Sequence, residues 1–98
     1  MVKHMIIWKL KDEIKDKTER ANQIKDALEG LNGKIKGLIK MAILTENLPN
    51  STGDIMMDSS FENEQALKDY QSYPLHQEIA NGLVRPSVQS RLSFDYEI

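Results

Sequence analysis

The 98-residue chain contains no cysteine. That excludes a disulfide framework and a thiolate metal site, and leaves packing and association as the sources of stability. A domain this small buries only about two-thirds of its unfolded surface, so self-association is a common supplement. Long apolar runs are missing too: none reaches the roughly 18 residues a membrane helix needs. The opening MVKHMIIWKLKDE is apolar for too few residues to be a signal peptide and has no small-residue cleavage site. The expectation is a cytoplasmic protein with no membrane partner. A cationic surplus is also absent, with 13 basic residues against 15 acidic and a net charge of −2. Lys9, Lys11, Lys15 and Lys17 are interleaved with Asp12, Glu13 and Asp16, which makes a solvated face and gives no reason to expect nucleic acid. Histidine is scarce: only His4 and His76 occur. No ligand spacing supports a metal, and no motif calls for a cofactor.

What is present is a globular composition, 40% hydrophobic and 29% charged, of one domain's length. Val2 to Leu10 has the apolar run of a strand, with Val2, His4, Ile6, Trp8 and Leu10 on one face and Lys3, Met5, Ile7 and Lys9 on the other. Both faces carry large apolar groups, so both are covered at the strand's centre. Asp16-Lys17-Thr18-Glu19 has the form of a capping box. Ala21, Ile24, Ala27, Leu28 and Leu31 then recur at helical spacing, up to stop signals between Gly30 and Gly33. A second strand follows over Leu38 to Asn47, and LPNSTGD is a loop. Asp54 to Phe61 predicts a third strand, Asn63 caps a second helix, and RLSFDYEI closes the chain as a strand. The order is β-α-β-β-α-β, the ferredoxin-like α+β class. Both helices then cross one face of a four-stranded antiparallel sheet. The other face, with Met5 and Ile7, is an apolar patch that a soluble monomer rarely exposes. A homodimer through that open sheet face is the expected partner arrangement.

One stretch needs separate treatment, DYQSYPLHQEIA, because Pro74 interrupts what otherwise reads as helix. Proline lacks the donor that a helix interior requires and pushes Tyr73 toward extended geometry. The spacing therefore predicts one helix over Asn63 to Ser72 and a second beginning at Pro74, where a missing N–H costs nothing. His76 falls in the first turn of that second helix, with Ile79, Ala80 and Leu83 on the same stripe, and should face the sheet. Pro86 is read as a further break before the last strand. His4 and His76 then converge from opposite ends of the chain, in one of two roles. Each is a buried neutral imidazole with a hydrogen-bond partner, or His76 is a general base in a pocket, since a histidine pKa near 6.5 suits proton transfer at neutral pH. Tyr70, six residues earlier, would donate to a developing oxyanion; its bland alternative is packing at a helix end.

The opening VKHMIIWKLKDE, the block DYQSYPLHQEIANGLVRPSV and the ending RLSFDYEI resemble the stress-responsive dimeric A/B barrel (Dabb) family across residues 1–98. The resemblance implies a ferredoxin-like protomer whose bare sheet pairs with a second copy to form a dimeric α+β barrel. Relatives include plant stress proteins, bacterial proteins of unknown activity, and a plant polyketide cyclase that closes a ring by aldol chemistry without a cofactor. Carried over residue by residue, the cyclase's acid–base pair falls on His76 and Tyr70, assisted by His4. One departure stands out: many relatives have histidine where this chain has Tyr73, which leaves a single histidine in that block. Three functions stay open: a stress-response protein with a small-molecule pocket for an apolar or aromatic ligand, a cofactor-free cyclase or isomerase, and a purely structural dimer. A monooxygenase of the wider barrel group has no motif in its favour. A pocket above about 300 Å³ facing His76 and the Tyr70 hydroxyl separates the first two from the third.

Overall fold

The computed structural model describes every residue, Met1–Ile98. Its elements are β1 (Val2–Leu10), α1 (Lys17–Glu29), β2 (Leu38–Leu44), β3 (Ile55–Phe61), α2 (Glu64–Ser72), α3 (Pro74–Ile79), a π-helical turn (Ala80–Val84), α4 (Arg85–Ser87) and β4 (Val88–Glu97). The strands form one antiparallel sheet in the order β2-β3-β1-β4. With helices on one side, this is the ferredoxin-like arrangement expected from the element order.

Register assigns each side chain to a face, because paired residues point the same way. Val2, His4, Ile6, Trp8 and Leu10 are all buried beneath the helices. Across from them on β4 stand Glu97, Asp95, Ser93 and Arg91 opposite Val2, His4, Ile6 and Trp8. The bare face holds Lys3, Met5 and Ile7, flanked by Tyr96, Phe94 and Leu92 of β4 and by Ser60, Asp58 and Met56 of β3.

The first helix begins where Asp16 Oδ1 accepts the Glu19 N–H at 2.9 Å, and it buries Ala21, Ile24 and Leu28. Its far end is tied to the outer edge of β2. Glu29 Oε2 accepts the Ile43 N–H at 2.9 Å, and Asn32 both accepts from the Met41 N–H at 2.8 Å and donates to the Met41 carbonyl at 2.9 Å. These side chains occupy ladder groups that would otherwise template another strand. The Ile43 N–H, more than the Lys25 ammonium beside it, lowers the Glu29 pKa against the opposing pull of burial.

In α2, Asn63 Oδ1 accepts the Ala66 N–H at 2.8 Å, and Ala66, Leu67 and Tyr70 are buried. The helix packs so closely on Gly37 that a β-carbon there would stand 2.6 Å from the Ala66 β-carbon. Gly37 also has φ 87°, which only glycine adopts freely. Tyr73 is extended, and Pro74 takes the first position of α3, as the sequence predicts.

Pro86 departs from expectation. The chain stays helical through it to Ser87. In a regular α-helix its ring would meet the carbonyl of residue 82, four places back. Here the preceding turn is π-helical, with the Arg85 N–H bonded to the Ala80 carbonyl, and position 82 is glycine. The widened turn admits the ring. Ser87 then ends the helix fully buried, its Oγ donating to the Leu83 carbonyl at 2.7 Å and accepting from Arg20 at 2.8 Å. In consequence β4 starts at Val88, three residues before the Arg91 expected from the sequence, while β2 stops at Leu44 short of Asn47. No helix is long and apolar enough to cross a membrane.

Candidate functional site

Between the α3-to-α4 segment and the sheet lies a cavity of about 720 Å³. Ile6 and Trp8 of β1, Met57 of β3, Leu28 of α1 and Val84 of the π-helical turn give it an apolar wall. Its polar groups come from Tyr70 and Gln71 of α2, His76 and Gln77 of α3, and Arg85, Gln89, Ser90 and Arg91 toward the rim. The three residues singled out from the sequence, His4, Tyr70 and His76, all line it.

The backbone break at Pro74 is what orients His76. A helix ends with carbonyls that have no partner within it. As α2 stops at Ser72, the Gln71 carbonyl accepts from His76 Nδ1–H at 3.3 Å and from the Gln77 side-chain amide, both in the first turn of α3. This bond places the proton of neutral His76 on Nδ1 and leaves Nε2 as its basic nitrogen. The ring is half-buried, and burial is the main force lowering its pKa below the usual histidine value. The Gln71 carbonyl opposes that shift, while the charges of Arg85, His4 and Arg91 add to it.

Tyr70 is only 1% exposed, and its ring centroid lies 4.2 Å from that of His76 and 5.0 Å from that of Phe61. Its hydroxyl is buried without any hydrogen-bond partner in the protein. Desolvation raises the Tyr70 pKa, and the Arg91 charge pulls weakly the other way. At neutral pH the pair is therefore a neutral imidazole beside a protonated phenol.

His4 enters from the other side. It is buried, its Nδ1–H donates to Asp95 Oδ1 across the β1–β4 ladder, and its carbonyl accepts from Ser59 Oγ at 2.7 Å. A series of ring contacts links it to His76, with the His4 and Phe61 centroids 6.3 Å apart and Phe61 in turn against Tyr70. Two contributors escaped the sequence reading, Asp95 and Arg91. Each sits on the helix-facing side of β4, a fact that only the register with His4 and Trp8 reveals. No group of three or more histidine or acidic side chains is disposed to hold a metal ion.

The chain matches the Stress responsive A/B Barrel Domain family over residues 2–98. Among solved structures it is similar to a dimeric protein of unknown function with a ferredoxin-like fold from Bacteroides fragilis. The identity there is 31%, over 99% of this chain and 95% of that one, at a TM-score of 0.88. A protein from Arabidopsis thaliana is 22% identical over 100% of this chain and 95% of that one, at a TM-score of 0.82. A hydroxynitrile lyase from Passiflora edulis, 16% identical over 99% and 92% of the two chains at a TM-score of 0.81, shares the fold. No curated protein matches the chain.

Proposed function

The chain belongs to the Stress responsive A/B Barrel Domain family, and from that premise we propose that it is a cytoplasmic, homodimeric stress-response protein that binds a small apolar or aromatic molecule between its helices and sheet. The observation that carries this reading is the unpartnered Tyr70 hydroxyl at a cavity of about 720 Å³. A purely structural core would fill that space and pair that hydroxyl, because an unsatisfied buried polar group is costly. Dimerisation is supported by the bare sheet face, where Leu92 is 73% and Phe94 69% exposed. Similar structures from Bacteroides fragilis and Thermobifida fusca are described as dimeric.

A second reading goes further, and the Tyr70–His76 pair favours it. A neutral imidazole with Nε2 free is a general base, and a protonated phenol 4.2 Å away, centroid to centroid, is a hydrogen-bond donor for the oxygen that gains charge. That combination suits removal of a proton beside a carbonyl, the opening step of a cofactor-free aldol cyclisation or isomerisation. In this scheme His76 takes the proton, Tyr70 steadies the enolate oxygen, and His4, held by Asp95, maintains the polar wall.

Both readings meet one experiment. Aromatic ketones and 1,3-diketones are screened by thermal shift and by the fluorescence of Trp8, the single tryptophan, which lines the cavity. Exchange of the acidic C–H into D2O is then followed by NMR for each ligand that binds. The binding reading expects a rise in melting temperature together with a change in Trp8 emission. The enzymatic one expects accelerated exchange that His76→Gln removes while binding persists. Exchange that survives His76→Gln unchanged eliminates His76 as the base, and a library without a single hit at millimolar concentration eliminates the pocket.

A further inference from the structure

Charge around the cavity is one-sided. Of its 16 lining residues none is acidic, while Arg85 and Arg91 both contribute. The two arginines are not equivalent. Arg85 donates to the Asn81 side chain one turn back, so part of its hydrogen-bonding capacity is taken. Arg91 has neither a hydrogen-bond acceptor nor an ion-pair partner, since the protein's salt bridges join Lys3 to Asp58, His4 to Asp95, Lys17 to Asp12 and Lys25 to Glu29. Asp95, on the same face of β4, is occupied by His4. Opposite the buried Trp8, Arg91 is held on the cavity side of the sheet by its register. Deeper in stands the Tyr70 hydroxyl, buried and unpartnered.

An unpaired guanidinium and an unpaired hydroxyl are both donors, and together they lack one thing, an acceptor carrying negative charge. We infer that the natural ligand is a monoanion, an aromatic or alicyclic carboxylate whose apolar body lies against Trp8, Ile6 and Val84 and whose carboxylate bridges Arg91 and the Tyr70 hydroxyl. This rests on the pocket reading above and adds the charge of the ligand to it. A carboxylate fits the planar fork of arginine two oxygens at a time, and such charge-assisted bonds are about twice as strong as neutral ones. The Arg91 guanidinium and the neutral Tyr70 hydroxyl together accommodate one carboxylate, and Arg85, bonded only to the neutral Asn81, adds to the positive potential at the rim.

The test compares 2-naphthoate with 2-naphthamide, which matches it in shape but is neutral, by isothermal titration at low and moderate salt. Naphthoate should bind about tenfold or more tightly than the amide, with an advantage that shrinks as salt rises. In Arg91→Gln, a change at an exposed residue that the fold does not depend on, the preference should vanish while the amide's affinity stays within about twofold. Arg91→Lys should keep part of it. Equal affinities in the wild-type protein, or a preference that Arg91→Gln leaves intact, overturn the inference and spare the pocket. If neither compound binds, the pocket reading itself fails, and the inference with it.

Discussion

Replacing Tyr70 by phenylalanine should make the ligand-free protein more stable. The ring keeps its place 5.0 Å from Phe61 and 4.2 Å from His76, and only the hydroxyl is removed. That hydroxyl is buried and unpaired, and leaving such a group without a partner costs about 1–3 kcal/mol. The space it vacates is small and borders an existing cavity, so the loss of contact offsets only part of the gain. A net increase of about 1 kcal/mol is expected, which for a domain of this size is a rise of roughly 4–8 °C in melting temperature. Urea denaturation at one fixed protein concentration measures it, because association otherwise shifts the midpoint. An unchanged slope with a higher midpoint is the anticipated pattern. The same variant should lose the tighter binding of carboxylates, a gain of stability at the expense of function. A destabilisation of 1 kcal/mol or more would falsify the reasoning, since the hydroxyl would then have been satisfied in the folded protein.

Four further outcomes are expected. Gly37→Ala should cost about 2–5 kcal/mol in chemical denaturation, combining a left-handed backbone with a 2.6 Å approach to Ala66. Gly33→Ala, with φ 81° and nothing nearby, should cost about 1–2 kcal/mol, and equal losses at both sites would contradict the packing argument. Burial sets the folded pKa of His76 below its unfolded value near 6.5, so the unfolded chain binds more protons under acid conditions. Stability should therefore decline as pH falls below about 6.5 and be flat in this respect above it, and His76→Gln should flatten the decline; an identical pH profile for the variant removes His76 as its source. Phe94→Glu, on the bare face, should convert a dimer into a monomer in light scattering coupled to gel filtration, and a dimer of unchanged mass would exclude that face as the interface.

Much of this architecture was legible in the residues. Alternation in β1 separates His4, Ile6 and Trp8 from Met5 and Ile7 with no knowledge of their neighbours, because strand period is a local property. Asp16 and Asn63 mark their helices for the same reason, and Pro74 announces its own position. Pro86 misled because proline's effect depends on the turn before it, and a π-helical turn with glycine at 82 has no strong local signature. Asp95 and Arg91 were hidden for another reason. Both read as the polar half of an alternating edge strand, and what puts Arg91 at the cavity and Asp95 on His4 is pairing with residues more than eighty positions away. The aromatic series from His4 through Phe61 and Tyr70 to His76 draws on four separate elements, so spacing within any one of them is silent about it.

The pairing of the first strand with the last has a consequence for how the protein comes into being. His4 and Asp95 are 91 positions apart, and the cavity takes its wall from β1 and its charged rim from β4. Closing so large a loop is entropically expensive, and contacts of such separation form late in folding. A chain still emerging from the ribosome can assemble α1 against β2 and β3, yet it has no cavity until its final strand docks. The cavity is thus completed late in folding, and a chain lacking β4 from Val88 onward would keep its buried apolar core while losing the charged side of the cavity.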